Sequence, residues 1–205
     1  MTHSRTRDLA LEVAFAGLVA AMGLVPAFTP FGFPVPVTLQ TLGVMIAGAV
    51  LGGRRAGISL LIFLGLVALG LPLLAGGRGG LGVFAGPSAG FLIAWPVAAY
   101  VIGALVYRMG APFRSVPGFL AIVAGGIAVM YAIGIPVVAW RAGLSLQAAA
   151  TGSAVFLIGD SAKAVVATIV AAAVHRARPD LMAARSGSAD DIRTAPVEDR
   201  SHVGS

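Results

Sequence analysis

The chain has 205 residues, no cysteine, 58% hydrophobic and only 11% charged residues, and a formal net charge of +6, with a mean hydropathy of +0.95. A soluble domain carries roughly a quarter charged residues, so this much apolar surface belongs in lipid, and the missing cysteines exclude a disulfide scaffold and thiol chemistry. The three histidines, His3, His175 and His202, lie outside or at the edge of the apolar segments, which excludes a histidine metal site at membrane depth. The arginines fall between apolar segments and form no basic face, which argues against nucleic acid as a partner.

Residues 1–8 read as a short basic tail with Arg5 and Arg7. Residues 9–28 make a first span close to the ~20 residues a bilayer requires. A secretory leader cut near Ala14-Phe15-Ala16 is the rival reading, but Ala16, Gly17, Ala20 and Ala21 read better as a helix-contact stripe. Residues 29–36 contain Pro-Phe-Gly-Phe-Pro-Val-Pro, a turn-rich connection in which proline blocks helix. Spans two and three cover 37–51 and 56–71, joined by the basic turn Gly52-Gly53-Arg54-Arg55. Both are short, which suits packing inside a bundle or local thinning of the bilayer.

Residues 72–90 stay apolar yet hold Gly76, Gly77, Gly79, Gly80, Gly82, Gly86 and Gly90, with Pro72 and Pro87. Such a segment does not hold a helix, and irregular backbone at membrane depth survives only when buried in protein or lining a cavity. The expectation is a loop that covers a ligand and brings backbone N–H groups close to it; the rival is an ordinary surface loop. Span four covers 91–107 and contains Trp95-Pro96, an expected kink. A basic connection with Arg114 leads to span five, 118–139, and Trp140-Arg141 follows at an interface. Span six covers 146–174 and is stopped by His175-Arg176-Ala177-Arg178-Pro179. Trp95 and Trp140 both read as interface anchors. Residues 177–205 are polar without apolar period and read as a disordered cytoplasmic tail.

The expected fold is therefore an all-α membrane protein with six transmembrane helices over residues 9–176. Arg5, Arg7, Arg54, Arg55, Arg108, Arg114, Arg176 and Arg178 fall on one side and only Arg78 and Arg141 on the other. That bias puts both termini in the cytoplasm. It puts the Pro-rich turn and the glycine-rich loop between helices 3 and 4 outside.

Within the last span stand Asp160 and Lys163. Asp160 is the only acid between Glu12 and Asp180, and Lys163 is the only lysine. An ionisable residue inside a membrane is expensive and marks a functional site, and the i,i+3 spacing lets the two pair on one helical face. The rival reading is a packing clasp without a ligand. Gln40, at the outer start of span two, is a neutral two-way hydrogen-bonder that serves either a ligand or a helix end.

Val35-Pro36-Val37-Thr38-Leu39-Gln40-Thr41-Leu42-Gly43-Val44, Gly70-Leu71-Pro72, Gly79-Gly80-Leu81-Gly82-Val83, Gly86-Pro87 and Asp160-Ser161-Ala162-Lys163 together resemble the BioY family, the biotin-binding S components of energy-coupling-factor (ECF) transporters. The resemblance covers residues 9–176. It implies a bacterial inner-membrane protein that takes up biotin from outside as a ligand, not a cofactor, and is not an enzyme. It implies polar contacts from Asp160 and Lys163, and a covering loop over residues 73–86 that brings Arg78, Gly79, Gly80 and Phe84 to the ligand. Arg78 has no fixed counterpart in the family's loop. The resemblance also implies a transmembrane coupling protein and ATPase subunits as partners, docked on an Ala-x-x-x-Ala pattern of the first helix. Ala16 and Ala20 fit that pattern, as do Ala10 and Ala14, and the same stripe also fits plain packing within the chain. No Walker motif is present, so ATP hydrolysis would belong to those partners. A solitary or proton-coupled biotin carrier is the alternative, an assembly of copies of this chain stays open, and an intramembrane enzyme lacks a second catalytic group beside Asp160.

Overall fold

The structure, a computed structural model, describes residues 2–29, 32–179 and 181. Beyond residues 177–179 and 181, the expected tail lies outside the described residues. The regular secondary structure among the described residues is helical, with two isolated backbone bridges in the connections. The first helix, α1, is Thr2–Met22. It starts within the expected tail because no proline or glycine interrupts residues 2–8, and Asp8 pairs with Arg55 at 2.8 Å. It stops at Gly23, where a Cβ would overlap the Leu73 carbonyl. The connection to the next helix is pinned by mutual backbone bonds between Phe28 and Val37 at 3.1 and 2.7 Å.

Helices α2 (Gln40–Leu51) and α3 (Gly53–Ala68) follow, separated by Gly52. Next comes α4, Ala89–Arg108, which carries Pro96 in its interior without a break. It packs against α2 and α3 so closely that a Cβ on Gly103 would collide with the Gly52–Gly53 backbone. Small residues allow such approach where apolar burial alone gives helices little reason to associate.

The fifth expected span is one 28-residue helical stretch, Ser115–Ala142. It is composed of α5 (Ser115–Val123), a π-helical segment (Ala124–Val129) and α6 (Met130–Ala142). The sixth is two helices rather than one: α7, Leu146–Ser153, and α8, Phe156–Ala177. The break follows Gly152, whose missing Cβ is filled by the Phe33 ring, and Phe33 also meets Phe156 edge-on at 5.6 Å.

Among the described residues, Ala89–Arg108, Ser115–Ala142 and Phe156–Ala177 are long and apolar enough to cross a membrane. One end of the bundle gathers arginines. There Arg55 meets Asp8, the Tyr107 hydroxyl donates to Val50 O at 2.6 Å, and His175 Nε2 lies 2.9 Å from Ala49 O. The His175 ring stacks on Phe113 at 5.2 Å. Arg54, Arg108, Arg114 and Arg176 are chain neighbours of these contacts. The opposite end carries the 23–39 connection, the glycine-rich loop and α7.

Candidate ligand-binding site

Asp160 sits in the second turn of α8 and is 5% exposed. Its Oδ1 accepts from Lys163 Nζ at 2.9 Å. Its Oδ2 accepts from the Tyr131 hydroxyl at 2.8 Å, and the Thr41 hydroxyl lies 3.4 Å from Oδ1. Lys163 Nζ also donates to Thr38 O at 2.8 Å and to Thr41 Oγ1 at 2.9 Å. An ammonium has three N–H donors, and here all three have acceptors. The pair is thus a closed knot joining α8, α6 and the entry to α2. Charge-assisted bonds of this kind are short and strong where water is excluded.

The knot forms part of the wall of a cavity of about 50 Å³. Thr38, Gln40 and Thr41 line it from the entry to α2 and its first turn, Ser88, Phe91, Leu92 and Trp95 from the N-cap and first turns of α4, Met130 from α6, Phe156 from α8, and Leu74 and Arg78 from the glycine-rich loop. Pockets that bury drug-sized ligands run to ~300–1,000 Å³, so a ligand has to displace lining groups to enter. Few polar groups in a mostly apolar wall is the composition that orients a small, mixed-character ligand. Phe91 meets Tyr131 and Phe156 edge-on at 5.8 and 6.3 Å, which braces the Tyr131 ring.

Gln40 lines the cavity but is fully buried, and the backbone holds its amide. Its Nε2 donates to Val19 O at 3.1 Å and Leu73 O at 3.0 Å, and its Oε1 accepts from Ala75 N at 3.0 Å. It ties the end of α1 and the glycine-rich loop to α2. Arg78 lines the cavity and donates through Nε to Ala75 O at 3.3 Å. Gly79 lines an adjoining outer recess instead, with Arg78, Pro34 and Ser88.

Of the loop glycines expected to offer an N–H group to a ligand, Gly80 has its own already engaged. Gly80 N donates to Val67 O at 2.7 Å, and Leu74 and Arg78 exchange backbone bonds at 3.0 and 3.2 Å. Gly76 and Gly77 make the turn between those two residues at φ +81° and +68°, a region that favours glycine. Gly79 is needed because a Cβ would overlap Leu71 O. The glycines fold the loop onto itself and onto α3. Phe84 packs on the apolar core rather than on the cavity wall.

Two further expectations change. Ala16 is 3% exposed and belongs to the core, with Ala20 packed beside it, so these two face inward; Ala10, Ala14, Gly17 and Ala21 are the exposed small residues of α1. Trp95 is 4% exposed, stacks at a 37° tilt on Phe63 and lines the cavity, so it is no interface anchor, whereas Trp140 is 73% exposed under the Arg141 guanidinium. Sequence reasoning missed Tyr131, Thr38 and Thr41. The signal for Tyr131 was Gly125-Gly126, which lie in the π segment: a wider turn shifts every later side chain around the axis.

A helical bundle with a charged knot and a small apolar cavity near its arginine-poor end defines a membrane-embedded ligand-binding protein of the transport class. Residues 1–180 match the profile of the BioY family, and the chain belongs to that family. It is 49% identical over 183 residues to a protein of Rhizobium etli named biotin transporter BioY, covering 87% of this chain and 98% of that one. It is 44% identical over 173 residues to a Bacillus subtilis protein named probable biotin transporter BioY, covering 83% and 91%. The fold is similar, with a TM-score of 0.82 and 26% identity over 86% of this chain and 94% of the other, to a crystal structure of the S-component for biotin from an ECF-type ABC transporter.

Proposed function

We propose that the protein is the biotin-binding membrane subunit of an ECF-type uptake system. The observation that carries this reading is the buried Asp160–Lys163 pair in the wall of a mostly apolar cavity. Biotin combines an apolar fused ring and chain with a ureido group and a carboxylate. Asp160 accepts from the ureido N–H groups. Arg78 at the mouth attracts the carboxylate through longer-range electrostatics. The names of the relatives and of the structural neighbour support the same ligand.

In this reading α1, α2, α3, α4, the Ser115–Ala142 stretch and the α7–α8 pair make six crossings in a bacterial inner membrane. The arginine-rich end and both termini face the cytoplasm, as the positive-inside bias requires. The membrane domain spans residues 9–176, extended at its start by the first turns of α1. The covering loop between α3 and α4 faces outward. A transmembrane coupling protein docks on the exposed stripe Ala10, Ala14, Gly17 and Ala21, since small residues let helices approach, and separate ATPase subunits drive the cycle. The protein binds and releases biotin unchanged.

Two measurements test this. Purified protein in nanodiscs should bind biotin one to one by calorimetry, and an absence of heat would overturn the reading. Uptake in cells lacking coupling ATPases, with and without a protonophore, separates the ECF subunit from a proton-coupled carrier. The ECF reading expects uptake to depend on the ATPases and to ignore the protonophore at constant ATP.

A further inference from the structure

We infer that Trp95 is a ligand contact whose indole N–H donates to the carbonyl oxygen of the ureido group, which rests on the biotin reading above. Ser88, the N-cap of α4, and Phe91, Leu92 and Trp95 stand at i, i+3, i+4 and i+7 and all line the cavity, so one helical face looks into it. Within that face Trp95 Nε1 is buried and has no acceptor among the described residues. A buried tryptophan usually finds a partner for its N–H, and leaving a donor unpaired is costly. Phe63 offers no substitute. Its ring is tilted by 37°, far from the edge-on approach that an N–H donor makes to an aromatic face.

The neighbouring donors are already in use. Both Gln40 N–H bonds go to backbone carbonyls. The three Lys163 donors go to Asp160, Thr41 and Thr38. A ligand carbonyl that bonded Lys163 would have to break one of these, whereas Trp95 gains a partner outright. Chain direction also fits. Trp95 stands in the second turn of α4 and Asp160 in the second turn of α8, each counted from the end that carries the glycine-rich loop. Acceptor and donor therefore sit at similar depth, as a ureido group with N–H on one edge and C=O on the other demands. Arg78, in the loop, is left for the carboxylate.

The test compares biotin with 2-thiobiotin, whose sulfur is a weak acceptor, and with biotin methyl ester, which keeps the ureido group. Trp95→Phe should lower biotin affinity about tenfold, the scale of one hydrogen bond. The loss should persist for the methyl ester and shrink to about twofold for 2-thiobiotin. A plain packing role would reduce all three alike, and that result overturns the inference. So does a loss that vanishes with the methyl ester, because the N–H would then meet the carboxylate. Should Trp95→Phe fail to fold, Trp140→Phe leaves Trp95 as the sole indole of the two in the chain. Its ¹⁵N–H resonance should move downfield on saturation with biotin, and an unmoved resonance overturns the inference. If the unaltered protein binds no biotin, the parent reading falls and takes this one with it; biotin binding with an unmoved indole removes this one alone.

Discussion

Two ion pairs of nearly equal length sit at opposite ends of this molecule. Arg55–Asp8 measures 2.8 Å with side chains 24% and 36% exposed; Lys163–Asp160 measures 2.9 Å with side chains 13% and 7% exposed. Distance alone would rank them together, yet burial and company separate them. The first lies at the arginine-rich end and lashes the start of α1 to the start of α3. Exposed pairs of this kind contribute ~0–1 kcal/mol. The second is out of water and is held by Tyr131, Thr41 and the Thr38 carbonyl. A buried pair is weak evidence for stability, because desolvation offsets the attraction. Its presence within an apolar run fits the proposed biotin site.

The comparison can be broken most forcefully at Asp160. Asp160→Asn leaves Lys163 buried without a counter-ion, a change that costs ~3–5 kcal/mol in comparable sites. We expect thermal stability in detergent to drop and biotin affinity to fall at least about 100-fold, roughly 2.7 kcal/mol. The charge-free double variant Asp160→Asn with Lys163→Met should recover most of the stability and none of the affinity. Recovery of both would reduce the knot to a clasp. Tyr131→Phe comes next. It removes one bond to a carboxylate, a contact on the scale of ~1.5–3 kcal/mol, so calorimetry should read about a tenfold or greater loss of affinity with insertion unchanged. The smallest effect belongs to the other end of the molecule. Asp8→Asn should shift stability by at most ~1 kcal/mol and leave biotin affinity within twofold, and a larger loss of binding would show that the two ends are coupled.

The charged knot was legible because an acid and a lysine stand out against an apolar run, and the i,i+3 spacing made their pairing predictable. Its neighbours were not. Tyr131 follows a π segment, which rotates its side chain relative to α-helical counting. Thr38 and Thr41 are neutral residues at the entry to α2 that acquire meaning only when α8 packs against them. Trp95 read as an interface anchor because composition cannot tell which face of α4 looks inward. The split between α7 and α8 was hidden for a related reason: no proline marks it, and it reflects where Phe33 packs. The glycine-rich loop was legible as irregular backbone beside a cavity, which Leu74 and Arg78 line. The local work of Gly76, Gly77 and Gly79 was not, since the turn and the close approach to Leu71 O that require them arise only once the loop has folded.

One amide holds three pieces of the fold together. Gln40 grips the last turns of α1, the first residues of the glycine-rich loop and its own helix at once. Displacing α1 must therefore either snap the bond to Val19 O or drag Gln40, and with it the anchorage of the loop. A neighbour that displaced α1 from the lipid side would load these bonds, and through them the loop beside the cavity, with no contact to the cavity itself.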